Sequence, residues 1–112
     1  MFVIPVRYDP ERPVIFECIE SIKRTHDKPK ILVVDSASPD KDYFEHCLDL
    51  GVRVAAINNI GYGHGAFGWA WRHYSEEPYW HLIYDSLIVT GHTDHLRDQP
   101  LTVMRHGTER PY

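Results

Sequence analysis

Four apolar runs in this sequence each lead into residues able to do chemistry. Phe2 to Val6 ends at Pro5-Val6-Arg7, and Ile31-Leu32-Val33-Val34 opens into Asp35-Ser36-Ala37-Ser38-Pro39-Asp40. Val52 to Ile57 leads to Asn58-Asn59-Ile60-Gly61-Tyr62-Gly63-His64-Gly65, and Trp80 to Tyr84 stops at Asp85-Ser86. A carboxylate such as Asp35 only accepts hydrogen bonds, and at a strand end an aspartate commonly caps the turn through nearby backbone. Glycines in the third loop let the backbone approach a ligand and take positive φ, and they also build ordinary turns. Asp85 places a second carboxylate just after an apolar run.

The elements that must position these loops alternate between strand and helix, the pattern of an α/β domain with a mostly parallel sheet and helices on both faces. Phe2 to Val6 reads as a strand buried on both faces. Asp9, Pro10 and Pro13 supply helix-start chemistry, and Ile15, Cys18, Ile19 and Ile22 recur as one helical stripe running to about His26. Ile31 to Val34 is a second strand, and Ser38-Pro39-Asp40 reads as a helix start with Phe44, Cys47 and Leu48 facing inward. Gly51 ends that helix where a left-handed residue is needed, and β-branched Val52 to Ile57 forms the third strand. A helix over about 65–75 and a buried strand over Trp80 to Tyr84 follow, with Leu87 to Val89 extended. Leu101 to Met104 reads as an edge or antiparallel strand, with a loose tail after Gly107. In an open parallel sheet the ligand crevice lies at the carboxyl ends of the strands, where all four loops emerge.

With 112 residues the chain has the length of one domain, 1–112, and no linker or repeat divides it. Its 43% hydrophobic and 25% charged residues place it in the ordinary globular class, with enough core to fold without disulfides. A formal charge of −4 argues against nucleic acid as a partner, which demands a basic face. No stretch reaches a membrane span and no basic leader precedes the first apolar run, so the expected location is cytoplasmic. Cys18 and Cys47 each fall on the apolar face of an expected helix, as buried free thiols do.

The loop sequences together resemble inverting family 2 glycosyltransferases of the GT-A fold, over about residues 2 to 90. The segment Ile31 to Asp40 is similar to that family's apolar strand, aspartate, small-residue turn, serine and aspartate. Asn59-Ile60-Gly61, with Gly63 and Gly65, is similar to its asparagine-x-glycine loop. The resemblance implies a truncated GT-A-like domain that binds a nucleoside-diphosphate sugar through Pro5, Val6, Arg7, Asp35, Asn59, Gly61, Gly65 and Asp85. It also implies that Asp35 accepts from the base and that Asp85 helps bind Mn²⁺ or Mg²⁺. The family usually ends its fourth strand with Asp-x-Asp, whereas this chain has Tyr84-Asp85-Ser86-Leu87, with Leu87 in the second carboxylate's place. Its acceptor half and general base lie beyond the matched region, so the resemblance is compatible with sugar transfer and with a non-catalytic binding or assembly domain.

Other readings stand beside this one. Gly63-His64-Gly65-Ala66-Phe67-Gly68 formally matches the dinucleotide fingerprint for NAD or FAD, although Asn58 to Tyr62 separate it from its strand and it lies in the third unit of the chain. His92-Thr93-Asp94-His95 and the scattered histidines suit a transition metal by type, without a complete ligand set, and otherwise read as solvent-facing. Trp69 and Trp71 lie two apart and cannot share one helix face, so one is expected to be partly exposed, which suits a homo-oligomer interface.

Overall fold

The computed structural model describes residues 1–58 and 62–93, with Tyr62 described by its backbone. The described chain runs β1 (Phe2–Val6), α1 (Ile15–Thr25), β2 (Ile31–Ser36), α2 (Tyr43–Asp49), β3 (Arg53–Ile57), α3 (Tyr62–His73) and β4 (His81–Leu82). Its four strands form one sheet in the order β3-β2-β1-β4, and every pairing is parallel. The expected Leu101–Met104 strand lies outside the described residues.

The two faces of the sheet are sorted by residue parity, as the period of a strand requires. Phe2, Ile4, Val6, Ile31 and Val33 pack with the α1 stripe Ile15, Cys18, Ile19 and Ile22, together with Tyr43 and Cys47 of α2. Val3, Leu32 and Val34 face Ala66 and Ala70 of α3 on the other side. Burying each of the α1 isoleucines completely contributes roughly 1.5–3 kcal/mol.

Several boundaries differ from the sequence pattern. Ser38 does not cap α2, because its Oγ accepts the Tyr8 amide at 2.8 Å, and Asp40 Oδ1 takes the Asp42 amide at 2.9 Å. The helix therefore begins at Tyr43, and its buried line is Tyr43 and Cys47. Leu48 points away from the core and is 62% exposed, against the inward position expected of it. Gly51, as expected, takes a left-handed φ of 78° just after the helix, where its amide bonds the Leu48 carbonyl. α3 starts ahead of the expected position and stops at His73.

The fourth strand is only His81–Leu82, shorter and less buried than the apolar run suggests. Pro5 accounts for this. The Phe2 amide donates to Lys30 on the β2 side, and the Val3 carbonyl accepts from Ile83 on the β4 side. Alternation along the strand then carries the Pro5 nitrogen to the β4 side, where it has no hydrogen to give. The β1–β4 ladder ends at Val3↔Leu82, whereas the β1–β2 ladder continues to Val6↔Asp35.

Both cysteines are free and buried. Burial, reinforced by the nearby Asp85 charge, pushes the Cys18 thiol from 9.0 to about 12, and burial alone pushes Cys47 to about 11. Unfolded thiols ionise above their ordinary value while the folded ones hold their protons. Their contribution is thus complete below pH 9.0 and is lost as pH rises towards the folded values. Under reducing conditions, urea unfolding is expected to show stability falling above about pH 9, at up to ~1.4 kcal/mol per pH unit for each thiol. Cys18→Ala is expected to flatten that fall. An unchanged slope in the variant would remove Cys18 as its source.

Candidate functional site

Because all four strands are parallel, their carboxyl ends lie along one edge, and the chain reverses its direction of strand addition between β1 and β4. Val6 at the end of β1 pairs with Asp35 on one side. On the other side β4 emits Tyr84 and Asp85. Asp35 and Asp85 lie on the same face, that of α1. Asp35 bonds Tyr43 of the α1-side core, and Asp85 acts electrostatically on Cys18 of α1. Pro5 and Val6 are buried at the floor of this edge, and Arg7 is exposed above them.

Asp35 has no accessible surface. Its Oδ1 accepts the Tyr43 hydroxyl at 2.6 Å and its Oδ2 accepts the Ser38 amide at 3.2 Å. Ala37 sits at φ 54°, a left-handed backbone unusual for a residue with a Cβ, and carries the chain round the turn that brings this amide back. The Tyr43 hydroxyl is driven well above its ordinary range, first by burial and then by the Asp35 carboxylate that accepts its proton. Tyr8 closes the unit: its ring stacks on Tyr43 with centroids 4.3 Å apart, while its amide donates to Ser38. The loops after β1 and β2 are therefore tied together through one buried carboxylate.

Asp85 differs in kind. It is half-buried, and burial raises its carboxyl above the usual range, opposed by the backbone amides of Asp85 and Ser86. Burial penalises the charged form, and among the described residues no cation is among the causes that offset it. Asp85 alone does not fit a resident Mn²⁺ or Mg²⁺, which wants several oxygen donors. Among the described residues no three histidine, cysteine or carboxylate side chains are placed to share a metal. Leu87, in the position of a second carboxylate, packs against the α1-side core instead.

The first turn of α3 reaches the same edge. A Cβ built on Gly63 would meet the Tyr84 hydroxyl at 2.6 Å, so the absence of a side chain lets the helix start lie against the loop after β4. Gly65 is half-buried in this turn, whereas Asn59 and Gly61 lie outside the described residues. The segment Gly63 to Gly68 falls wholly within α3. A dinucleotide fingerprint instead puts its first glycine in the tight turn between strand and helix. The exposed Trp71, with Trp69 half-buried, matches the expectation that the two cannot share a face.

Sequence spacing missed Tyr43 and Ser38 as partners of Asp35, and Tyr8 as the residue that packs on one and bonds the other. It also missed a histidine group at the opposite, amino edge of the sheet. There His26, His81 and His92 line a cavity of about 250 Å³ with Thr93, across from the candidate crevice. No helix among the described residues is long and apolar enough to cross a membrane. No protein-family model, curated protein or solved structure matches the chain.

Proposed function

We propose that this domain binds a nucleoside-diphosphate sugar in the crevice at the carboxyl edge of its sheet, in the manner of the nucleotide-binding half of a GT-A glycosyltransferase. The supporting observation is that the loops after β1, β2 and β4 and the first turn of α3 share one edge, at the point where the strand order reverses. A helix start there presents backbone amides and a partial positive charge suited to a diphosphate, and the exposed Arg7 adds a full one. A divalent cation in this reading arrives with the diphosphate and is held chiefly by its oxygens, with Asp85 adding a single ligand.

Asp35 serves this reading by fixing the loop. A base imide reaching its carboxylate has to displace the Tyr43 hydroxyl, an exchange of one hydrogen bond for another. Binding without transfer is favoured by Leu87, which leaves Asp85 without a neighbouring carboxylate. Sugar transfer with inversion further requires a base for the acceptor hydroxyl.

A thermal-shift panel of nucleoside-diphosphate sugars, with and without Mn²⁺, tests the reading. A ligand at about 100 times its Kd stabilises by ~2.7 kcal/mol, which corresponds to a rise of roughly 10 °C for a domain of this size. At least one sugar nucleotide is expected to raise Tm, more so with Mn²⁺, while NAD leaves it unchanged. A shift with NAD alone, or with nothing in the panel, would sink the assignment. Release of free sugar from the donor on prolonged incubation would show turnover and overturn the preference for binding alone.

A further inference from the structure

After β4 the chain does not leave the domain but runs back along α1. Tyr84 and Asp85 lie over Cys18, the Val89 amide donates to Ser21 Oγ at 2.8 Å, and the Thr93 amide donates to His26 Nε2 at 3.3 Å. The segment 85–93 is thus a strap from the carboxyl edge to the amino edge, fastened at Ser21 and again at His26. Ser21 is fully buried and passes its own proton to the Cys18 carbonyl at 2.7 Å, so the first fastening carries no titratable group.

The second fastening does. Because the Thr93 amide can only donate, the bond it makes to His26 Nε2 requires that nitrogen to be without a proton. The other nitrogen, Nδ1, lies 2.9 Å from Thr25 Oγ1, whose single proton goes to carbonyls of α1. His26 Nδ1 therefore carries the hydrogen, and the ring is neutral with its acceptor aimed at the strap. Thr93 Oγ1 sits 3.0 Å from His26 Nε2 and 3.4 Å from His81 Nε2, bridging the two rings. His92 of the strap stacks on His26 with centroids 4.3 Å apart.

We propose that the strap is a proton-released latch, fastened when His26 and His81 are neutral and let go at the amino edge when they become charged. A proton on His26 Nε2 sets two N–H groups against each other at the Thr93 amide. The Thr93 hydroxyl can turn to accept from one imidazolium, but with His81 charged as well its own proton loses its acceptor. Of the other described groups facing the cavity, Glu77 is engaged by Lys30 at 2.9 Å, and the Met1 ammonium adds positive charge. Asp27 is exposed, where its attraction is screened by solvent. Imidazole is the side chain that gains its charge in the mildly acidic range, where release is expected.

Amide hydrogen exchange of the whole chain, corrected for the intrinsic pH dependence, tests this. Protection at Val89 and Thr93 is expected to fall about tenfold or more between pH ~7.5 and ~5.5, while Leu32 and Val33 of β2 keep theirs. His26→Gln, whose amide oxygen can accept from Thr93 without titrating, is expected to retain the protection at pH ~7.5 and lose most of the fall. Imidazole nitrogen shifts of the unaltered protein give a second readout, with a neutral Nδ1-H form of His26 expected above pH ~7. Constant strap protection over the range overturns the proposal, as does an equal fall in His26→Gln, a parallel loss at β2, or an Nε2-H form of His26. None of these readouts involves a nucleotide ligand, so the latch stands or falls separately from the proposed function.

Discussion

Asp35→Ala is expected to lower the unfolding free energy by about 3 kcal/mol, enough to drop Tm by more than ~10 °C. The substitution removes an acceptor that is fully buried and strands both of its donors, the Tyr43 hydroxyl and the Ser38 amide. Leaving a buried donor unsatisfied costs roughly 1–3 kcal/mol, and bonds to a charged acceptor lie at the strong end. Tyr43→Phe removes one of the two bonds and is expected to cost about 2 kcal/mol. The double variant should cost less than the sum, because the two groups act on each other. Urea unfolding of the four proteins measures the cycle. A near-neutral Asp35→Ala, or strict additivity, would show that the carboxylate does not organise these loops.

The opposite sign is expected for Asp85→Asn. Burial raises the Asp85 carboxyl in the folded state, so the unfolded chain ionises first as pH rises. The group therefore favours folding only below its ordinary value of 3.8, and that contribution is lost as pH rises through the folded value. At neutral pH the folded protein carries a charge it holds at a cost, which asparagine does not impose. Asp85→Asn is thus expected to raise Tm at pH ~7, with the gain vanishing below pH ~4. In the same variant, stabilisation by a nucleoside-diphosphate sugar with Mn²⁺ is expected to weaken by tenfold or more in affinity, about 1.4 kcal/mol. Greater stability with weaker binding is the mark of a residue kept for function. A lowered Tm at neutral pH, or undiminished binding, would take Asp85 out of the site.

The contrast between these aspartates marks where sequence reasoning stops. Both follow apolar runs and both fall at the carboxyl edge of the sheet, but Asp35 lies inside β2, which runs on to Ser36, and Asp85 lies beyond the end of β4, which stops at Leu82. The stripe Ile15, Cys18, Ile19 and Ile22 and the run Ile31 to Val34 were legible because burial imposes a period on them, and Gly51 because its backbone conformation excludes most residues. The role of Asp35 was not legible, since it depends on Tyr43 meeting it across the start of a helix whose first residue was itself misplaced. That start moved because the Ser38 oxygen is taken by Tyr8, a contact between loops that no local rule contains. Leu48 was assigned to the core on residue type, although a helix as short as α2 has only one buried line. The pairing of His26 with Thr93 joins residues 67 positions apart and leaves no periodic trace.

One missing hydrogen atom bears on the edge where the sheet reverses. β1 runs on to Val6 beside β2, but at Pro5 it has no hydrogen to give β4, and the β1–β4 ladder stops at Val3↔Leu82. The chain beyond each strand, with Arg7 after one and Asp85 after the other, is therefore not tied by that ladder. A residue with an amide proton at position 5 would let the seam extend. In the proposed function, the spacing of Arg7 and Asp85 thus answers to an imino acid in the middle of the sheet, far up the chain from the glycines that first suggested a ligand.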